Sequence, residues 1–383
     1  MSFVVTNATV VDARGEVPGS WIRVYGDSIT ATGTGQVPAA AAAAAAEQYD
    51  ADGAVVTPGL IDLHGHGGGG HSYDGDEADI EAALQTHRAH GTTRSLLSLV
   101  ANPLPSLEKS LGLLRDLTAR DPLVLGAHLE GPFLSPDNRG AHHPHFLALP
   151  THDVVDSLLD AAAGALRLIT IAPELPGGLD AVSTLSHEGV VVAVGHTIAD
   201  YDLAREAFDR GATVLTHAFN AMPGIHHRAP GPIVAAIDSV GVVLELILDG
   251  VHVHPSVAAL LFAAAPDRIA LITDAMAAAG ALDGEYRLGS LDVTVLNGTA
   301  LVAGTETIAG STLTQDVALQ LAVDRVGLSR RDAVTALTLT PARVLGHDDR
   351  LGLVAVGYAA DLVVWNDDWS VREVWGAGRS LVA

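Results

Sequence analysis

The sequence predicts an α/β fold: a (β/α)8 TIM-like barrel with a small β domain built from both chain ends. Three observations lead there. Eight short apolar runs recur through the middle of the chain, and most are followed by a helical pattern. Both ends are strand-rich instead. At 383 residues the chain exceeds one average domain, and it suits a barrel of roughly 250 residues plus a smaller domain.

The first fifty residues read as strands, "FVVTNATVVD" and "WIRVYGDSITATG", separated by glycine turns. Ala39 to Ala46 is an alanine run, read as a loose surface helix or loop without chemistry. The C-terminal "ADLVVWNDDWSVREVWGAGRSLVA" is again strand-like. The expected boundaries are 1–56 and 350–383 for the small β domain and 57–349 for the barrel. The eight barrel runs are Leu60–Leu63, Ser95–Val100, Leu123–Leu129, Leu166–Ile171, Val190–Val194, Thr213–Leu215, Val242–Leu248 and Ile269–Thr273. "DEADIEAALQTHRAHG", "LPSLEKSLGLLRDLTAR" and "DYDLAREAFDRG" read as crossover helices. "GEYRLGSLDVTVLNGTALVAG" reads as a hairpin inserted after strand eight, with two further helices behind it.

Hydrophobic residues make up 48% of the chain, and the mean hydropathy is +0.31. No run reaches the eighteen or so apolar residues of a membrane-spanning helix. "MSFVVTNATVVDARGE" has neither a basic n-region nor a cleavage-like segment, so a cytoplasmic location is expected. The absence of cysteine removes disulfides and thiolate ligands together. A formal charge of −24 argues against nucleic-acid partners, whose phosphates it repels. Lys109 is the only lysine, and it falls in what reads as a helix start. A ligand bridging two metals therefore has to be a carboxylate rather than a strand-end lysine.

Eighteen histidines stand against that single lysine. In "PGLIDLHGHGGGG", His64 and His66 close a short apolar strand, and alternate strand residues share a face, so the two imidazoles converge. The glycines that follow let a loop pass close to them. Active sites of such barrels lie at the C-terminal ends of the strands. Strand three ends in His128-Leu129-Glu130, strand four offers Glu174, and strand five ends in His196. Strand six ends in His217, strand seven in Asp249 with His252 behind it, and strand eight in Asp274. Histidines and carboxylates on one closed ring form a donor set suited to Zn²⁺ or Fe²⁺. His71, His87, His90, His187, His226, His227 and His347 are read as surface or capping residues. Of His142, His143 and His145, at most one need reach the site.

"PGLIDLHGHG", "HLEGPF…RGAHHP", "VGHTIAD", "THAFNAMPGIHHRAPG", "LDGVHVHP", "ITDAMAAAG" and "AGSTLT" occur in that order. Together they resemble the N-acetylglucosamine-6-phosphate deacetylase family of the amidohydrolase superfamily, from about Pro58 to Pro341, and the β ends fit that family's flanking domain. The resemblance implies that Glu130, His196 and His217 hold a principal divalent metal, with zinc expected first and iron as the alternative. His64 and His66 match the members able to take a second, so one or two metals per subunit are implied. Asp274 matches the acid/base aspartate, and His142 matches the histidine that polarises the amide carbonyl. Ala141, Asn220, Ala221, Arg228, His252, Ile308 and Ala309 match residues that hold the phosphorylated amino sugar. Similar enzymes are dimers, which brings Arg228 within reach of a neighbouring subunit's site. "GIHHRAPG" departs from the pattern in placing His226 and His227 beside Arg228.

The chemistry of amide hydrolysis agrees with this set. A metal lowers the pKa of a bound water towards about 7. Asp274 can take a proton and pass it to the leaving amine, and Arg228 offers charge-assisted donors to phosphate. The alternatives are another barrel amidohydrolase acting on a different N-acyl or cyclic amide, and a metal-free barrel serving as a binding protein. The lack of a strand-end lysine weighs against the cyclic-amide group, and the complete ligand set weighs against the binding protein.

Overall fold

A computed structural model describes residues 2–39 and 45–382. Most of the alanine run, 40–44, lies outside the described residues. The chain divides into two compact units: Met1–Asp62 with Gln85–Arg94 and Thr314–Ala383, and Leu63–Leu84 with Ser95–Leu313.

The middle of the chain forms one eight-stranded sheet. Its strands, in chain order, are β1 (Leu60–Asp62), β2 (Thr92–Val100), β3 (Val124–Glu130) and β4 (Leu166–Ile171). Then come β5 (Val191–Val194), β6 (Ala212–Leu215), β7 (Val243–Ile247) and β8 (Ile269–Ile272). Each strand neighbours the next along the sheet, and the pairings from β2 through β8 are parallel. Just past the strand ends, Asp274 N–H and Thr273 Oγ1–H donate to the His64 carbonyl at 2.8 and 3.3 Å, drawing the two edges together towards a barrel. Every residue of β2 is buried, as expected where both faces of a parallel sheet are covered.

Crossover helices follow the predicted pattern. Leu104–Arg120 buries Leu107, Leu111, Leu114 and Leu117, a stripe at helical spacing. Burying each leucine is worth about 1.5–3 kcal/mol relative to exposure. Lys109 lies exposed within this helix, away from any strand end. Asp200 caps the helix Tyr201–Asp209 by accepting from Leu203 N–H at 2.9 Å.

The terminal strands assemble a second eight-stranded sheet. Val55–Pro58 pairs in parallel with Ser2–Asp12 and antiparallel with Leu362–Trp365, so both chain ends share it. Phe3, Val5, Ile22, Val24, Val56, Leu362, Val364 and Trp375 form its core.

Two expectations need correction. The insertion after β8 is not a hairpin but a three-stranded antiparallel sheet, Gly284–Leu288, Leu291–Leu296 and Thr299–Val302. Its second turn is Asn297-Gly298, both at positive φ (51° and 74°), a pair that closes tight hairpins. His87 is not a surface residue: it is buried, one further step along the stripe of Ile80 and Leu84.

Candidate metal centre and active site

The residues of the site all belong to the unit Leu63–Leu84 with Ser95–Leu313. The chain past β1 carries His64 and His66 and then turns through the hairpin Gly67–Gly68 and His71–Ser72. Gly69 and Gly70, at φ 62° and 91°, make the tight turn. Their N–H groups, with that of Gly67, donate to the carbonyls of Ala279, Ala277 and Ala275 at 2.7–3.0 Å. The glycine loop is thus pinned against the segment that follows Asp274.

Three site residues sit in the left-handed region that side chains seldom adopt: His196 (φ 46°), His217 (φ 25°) and Asp274 (φ 47°). Each follows the last residue of a barrel strand within two positions. Strain of this kind persists where surrounding contacts enforce it, and it gathers at functional sites.

Five imidazoles converge on Glu130. Its Oε1 lies 3.1 Å from His196 Nε2, 3.1 Å from His217 Nε2 and 3.2 Å from His64 Nε2. Its Oε2 lies 3.1 Å from His66 Nε2 and 3.2 Å from His142 Nε2. Asp274 Oδ1 approaches His66 Nε2 at 3.2 Å and His64 Nε2 at 3.6 Å. All seven residues are buried. Three groupings share Glu130: His196 with His217, His196 with His142, and His64 with His66 and Asp274.

The other hydrogen bonds of these rings fix their tautomers. His196 Nδ1–H donates to the Asn138 carbonyl at 2.9 Å, which leaves a lone pair on Nε2. That lone pair faces His217 Nε2 only 3.0 Å away. His66 Nε2, though close to two carboxylates, makes no well-directed hydrogen bond, and His217 Nδ1 is buried without a partner. Nitrogen and oxygen donors aimed inward at one another, with no sulfur among them, fit a divalent cation such as Zn²⁺ or Fe²⁺. His142 is set the other way. Its Nδ1 accepts from Ala101 N–H at 3.2 Å, so its proton is on Nε2, pointing into the site.

Titration follows from burial against charge. Burial disfavours charge on His64 and His66, but Glu130 and Asp274 outweigh it: His64 is held well above the ordinary imidazole range and His66 up to about 9. Burial would raise Glu130 and Asp274, and the surrounding histidines hold both low, so both are ionised at neutral pH. For His142, burial prevails over Glu130 and the ring stays neutral.

The ring opens onto a cavity of about 510 Å³, a size suited to a small ligand. Ala141, His142, Asn220, Ala221, His252 and Ile308 line it together with His66, Glu130, His196, His217 and Asp274. His252 Nδ1 is 2.6 Å from Asp249 Oδ2. Burial opposes its protonation, yet Asp249 raises its pKa above the ordinary value. Ala309 is not in that wall: its methyl is buried with Met276 and Val293, and its N–H donates to the Ala300 carbonyl. Arg228 is not in the cavity wall; it is exposed, with Nη1 donating to His227 Nε2 at 2.8 Å. His143 and His145 stay out of the wall too. Glu174 accepts from Thr197 Oγ1–H and Ile198 N–H and so braces the loop after β5. His128 is sealed beneath the site between Ser98 Oγ (2.9 Å) and Thr170 Oγ1 (3.0 Å).

Three residues of this neighbourhood escaped the sequence. Arg139 lines the cavity. Asp74 is half-buried, accepts from Asn102 Nδ2–H at 3.1 Å, and is pushed up to about 6 by desolvation. Glu245 lies inside β7 with no exposure, its Oε2 3.3 Å from His64 Nδ1. A carboxylate within the apolar run "VLELIL" was the available signal.

A parallel barrel with a histidine–carboxylate ring at its strand ends defines a metal-dependent hydrolase, and residues 55–381 match the Amidohydrolase family: the chain belongs to it. Within the family it is similar to particular deacetylases of phosphorylated amino sugars. It shares 36% identity with the N-acetylgalactosamine-6-phosphate deacetylase of Escherichia coli O157:H7, over 86% of this chain and 88% of that one. The N-acetylglucosamine-6-phosphate deacetylase of Bacillus subtilis is 35% identical, over 85% and 83% of the two chains. Among solved structures, a mutant N-acetyl-D-glucosamine-6-phosphate deacetylase of Mycobacterium smegmatis, in complex with N-acetyl-D-glucosamine-6-phosphate, superposes with a TM-score of 0.93. It is 41% identical and covers 100% of both chains.

Proposed function

We propose that this chain hydrolyses the N-acetyl group of N-acetylglucosamine 6-phosphate, giving glucosamine 6-phosphate and acetate, in amino-sugar catabolism. The observation that carries this is the convergence of Glu130, His196 and His217 on one point beside Asp274 and His142, at the floor of a cavity sized for a sugar phosphate. Glu130, His196 and His217 hold the principal cation, zinc first and iron second, and His64 and His66 with Glu130 provide a second position. When bound, such a cation supplies a water of lowered pKa and polarises the acyl oxygen.

The protein's own residues do the rest. Asp274, ionised at neutral pH, accepts the proton of the attacking water on its carboxylate and returns it to the leaving amine nitrogen. His142, with Nδ1 tied to Ala101 N–H, directs Nε2–H at the carbonyl oxygen, where negative charge develops. His252, whose protonated form Asp249 favours, faces the cavity as a donor for the phosphate. Ala141, Asn220, Ala221, Ile308 and the backbone at Ala309 shape the sugar pocket. The chain acts as a cytoplasmic homodimer, in which exposed Arg228 reaches the phosphate in the neighbouring subunit's site. No described helix is long and apolar enough to cross a membrane.

The test pairs elemental analysis with turnover of N-acetylglucosamine 6-phosphate, its galactosamine epimer and unphosphorylated N-acetylglucosamine. Bound divalent metal and a clear preference for the gluco phosphate are expected. Faster turnover of the galactosamine epimer would move the assignment to the activity named for the Escherichia coli relative. Hydrolysis indifferent to phosphate would favour a different N-acyl substrate.

A further inference from the structure

We infer that Glu245 is a positioning residue for His64, and that it sets whether the second cation position, shared by His64, His66 and Glu130, fills. This rests on the proposal that the ring binds divalent cations. Glu245 occupies the middle of β7, between Leu244 and Leu246, and has no exposed surface. A carboxylate so placed is unfavourable unless it is bonded. Its Oε2 takes two donors: the Nδ1–H of His64 at 3.3 Å and the backbone N–H of His217 at 3.4 Å. One oxygen thus ties together a residue from each of the two cation positions.

The consequence for His64 is specific. Its backbone is held through its carbonyl, which accepts from Asp274 N–H and Thr273 Oγ1–H. The ring needs a separate anchor. With Nδ1–H given to Glu245, Nε2 is the nitrogen left to bind a cation, and it faces Glu130 Oε1 at 3.2 Å and Asp274 Oδ1 at 3.6 Å. His128, edge-on to His64 with ring centroids 4.5 Å apart, cannot take over the Nδ1 proton. Both of its own nitrogens are engaged by Ser98 and Thr170. The contrast with His196 is informative. That ring is oriented by a backbone carbonyl, whereas His64 leans on a carboxylate side chain, the kind of outer partner that tunes a ligand histidine. Outer partners of metal-binding histidines typically change affinity by about 10- to 100-fold when lost.

The experiment is a zinc titration of metal-stripped protein, followed by competition with a chelator, on wild type, Glu245→Gln and Glu245→Leu. Far-UV circular dichroism and the melting temperature of each metal-free form are recorded alongside. Wild type should bind two equivalents. Glu245→Leu should keep the tighter one and weaken the second by about 10- to 100-fold. Glu245→Gln keeps an oxygen that can accept from Nδ1–H, so it should fall between, and it carries the test if the leucine variant does not fold. A second equivalent unchanged in Glu245→Gln and Glu245→Leu would overturn the inference, as would equal weakening of both positions or a wild type limited to one equivalent. Wild type that binds no zinc at all would instead remove the metal reading beneath it.

Discussion

Asp361 and Glu130 are both buried carboxylates, and they keep opposite company. In the unit built from the chain ends, Asp361 receives Arg94 Nε–H at 2.7 Å, Arg94 Nη2–H at 3.2 Å and Ala377 N–H at 2.7 Å. Every contact is a directed donor, as a structural carboxylate requires. In the other unit, Glu130 receives five imidazole nitrogens at 3.1–3.2 Å. At least one of them, His196 Nε2, carries a lone pair rather than a proton, because its Nδ1–H is given away. The difference separates a charge that is neutralised by the fold from one arranged around something the fold does not itself supply.

The comparison can be sharpened by changing one residue on each side. Asp274→Asn keeps the shape beside His66 but cannot take a proton. A fall in kcat of about 10²–10⁴ is expected, with KM little changed and the principal metal retained. Near-wild-type kcat with full metal would move the proton carrier elsewhere. Asp361→Ala leaves Arg94 without its carboxylate, and unfolding by urea should show a loss of about 3–5 kcal/mol. Metal content and kcat of the folded fraction should stay as in wild type; a parallel loss of metal would erase the distinction between the two carboxylates.

Smaller effects test the edges of the account. Arg228→Ala should raise KM for the phosphorylated sugar by roughly ten- to a hundredfold, the worth of a charged hydrogen bond of about 1.5–3 kcal/mol. If the unphosphorylated sugar suffers equally, Arg228 is structural. The smallest effect concerns His90, 2.7 Å from Asp316 and raised in pKa by that hydrogen bond against a smaller cost of burial. Its contribution to stability is fully present below the ordinary imidazole value of about 6.5 and is lost as pH rises through its raised value. His90→Asn should therefore flatten the decline in stability that sets in as pH rises above about 6.5, measured by urea unfolding. An unchanged slope would show that the pair contributes nothing.

The barrel and most of its ring were legible because they rest on local pattern. Apolar runs marked β1 to β8, and a histidine or carboxylate at a strand end projects to the site by the geometry of the fold. Lys109 could be set aside because leucines recur around it at helical spacing. What stayed hidden depended on which atoms meet in space. His128 and Glu130 are two residues apart on one strand, yet one is sealed between hydroxyls and the other gathers the ring. Glu245 looked like a lone charge in an apolar run until the closing barrel brought it against His64. Arg228 and His252 both looked like phosphate ligands, but only His252 lines the cavity of this chain.

The central claim is that Glu130, His196 and His217 are turned inward for a cation. The most direct measurement is metal content by elemental analysis of wild type and His217→Ala, prepared identically and checked for folding by circular dichroism. Wild type should carry one or two divalent ions per chain, and His217→Ala should lose the tighter ion and turnover together. Full metal content in folded His217→Ala, or a wild type that carries none and still turns over, would contradict it.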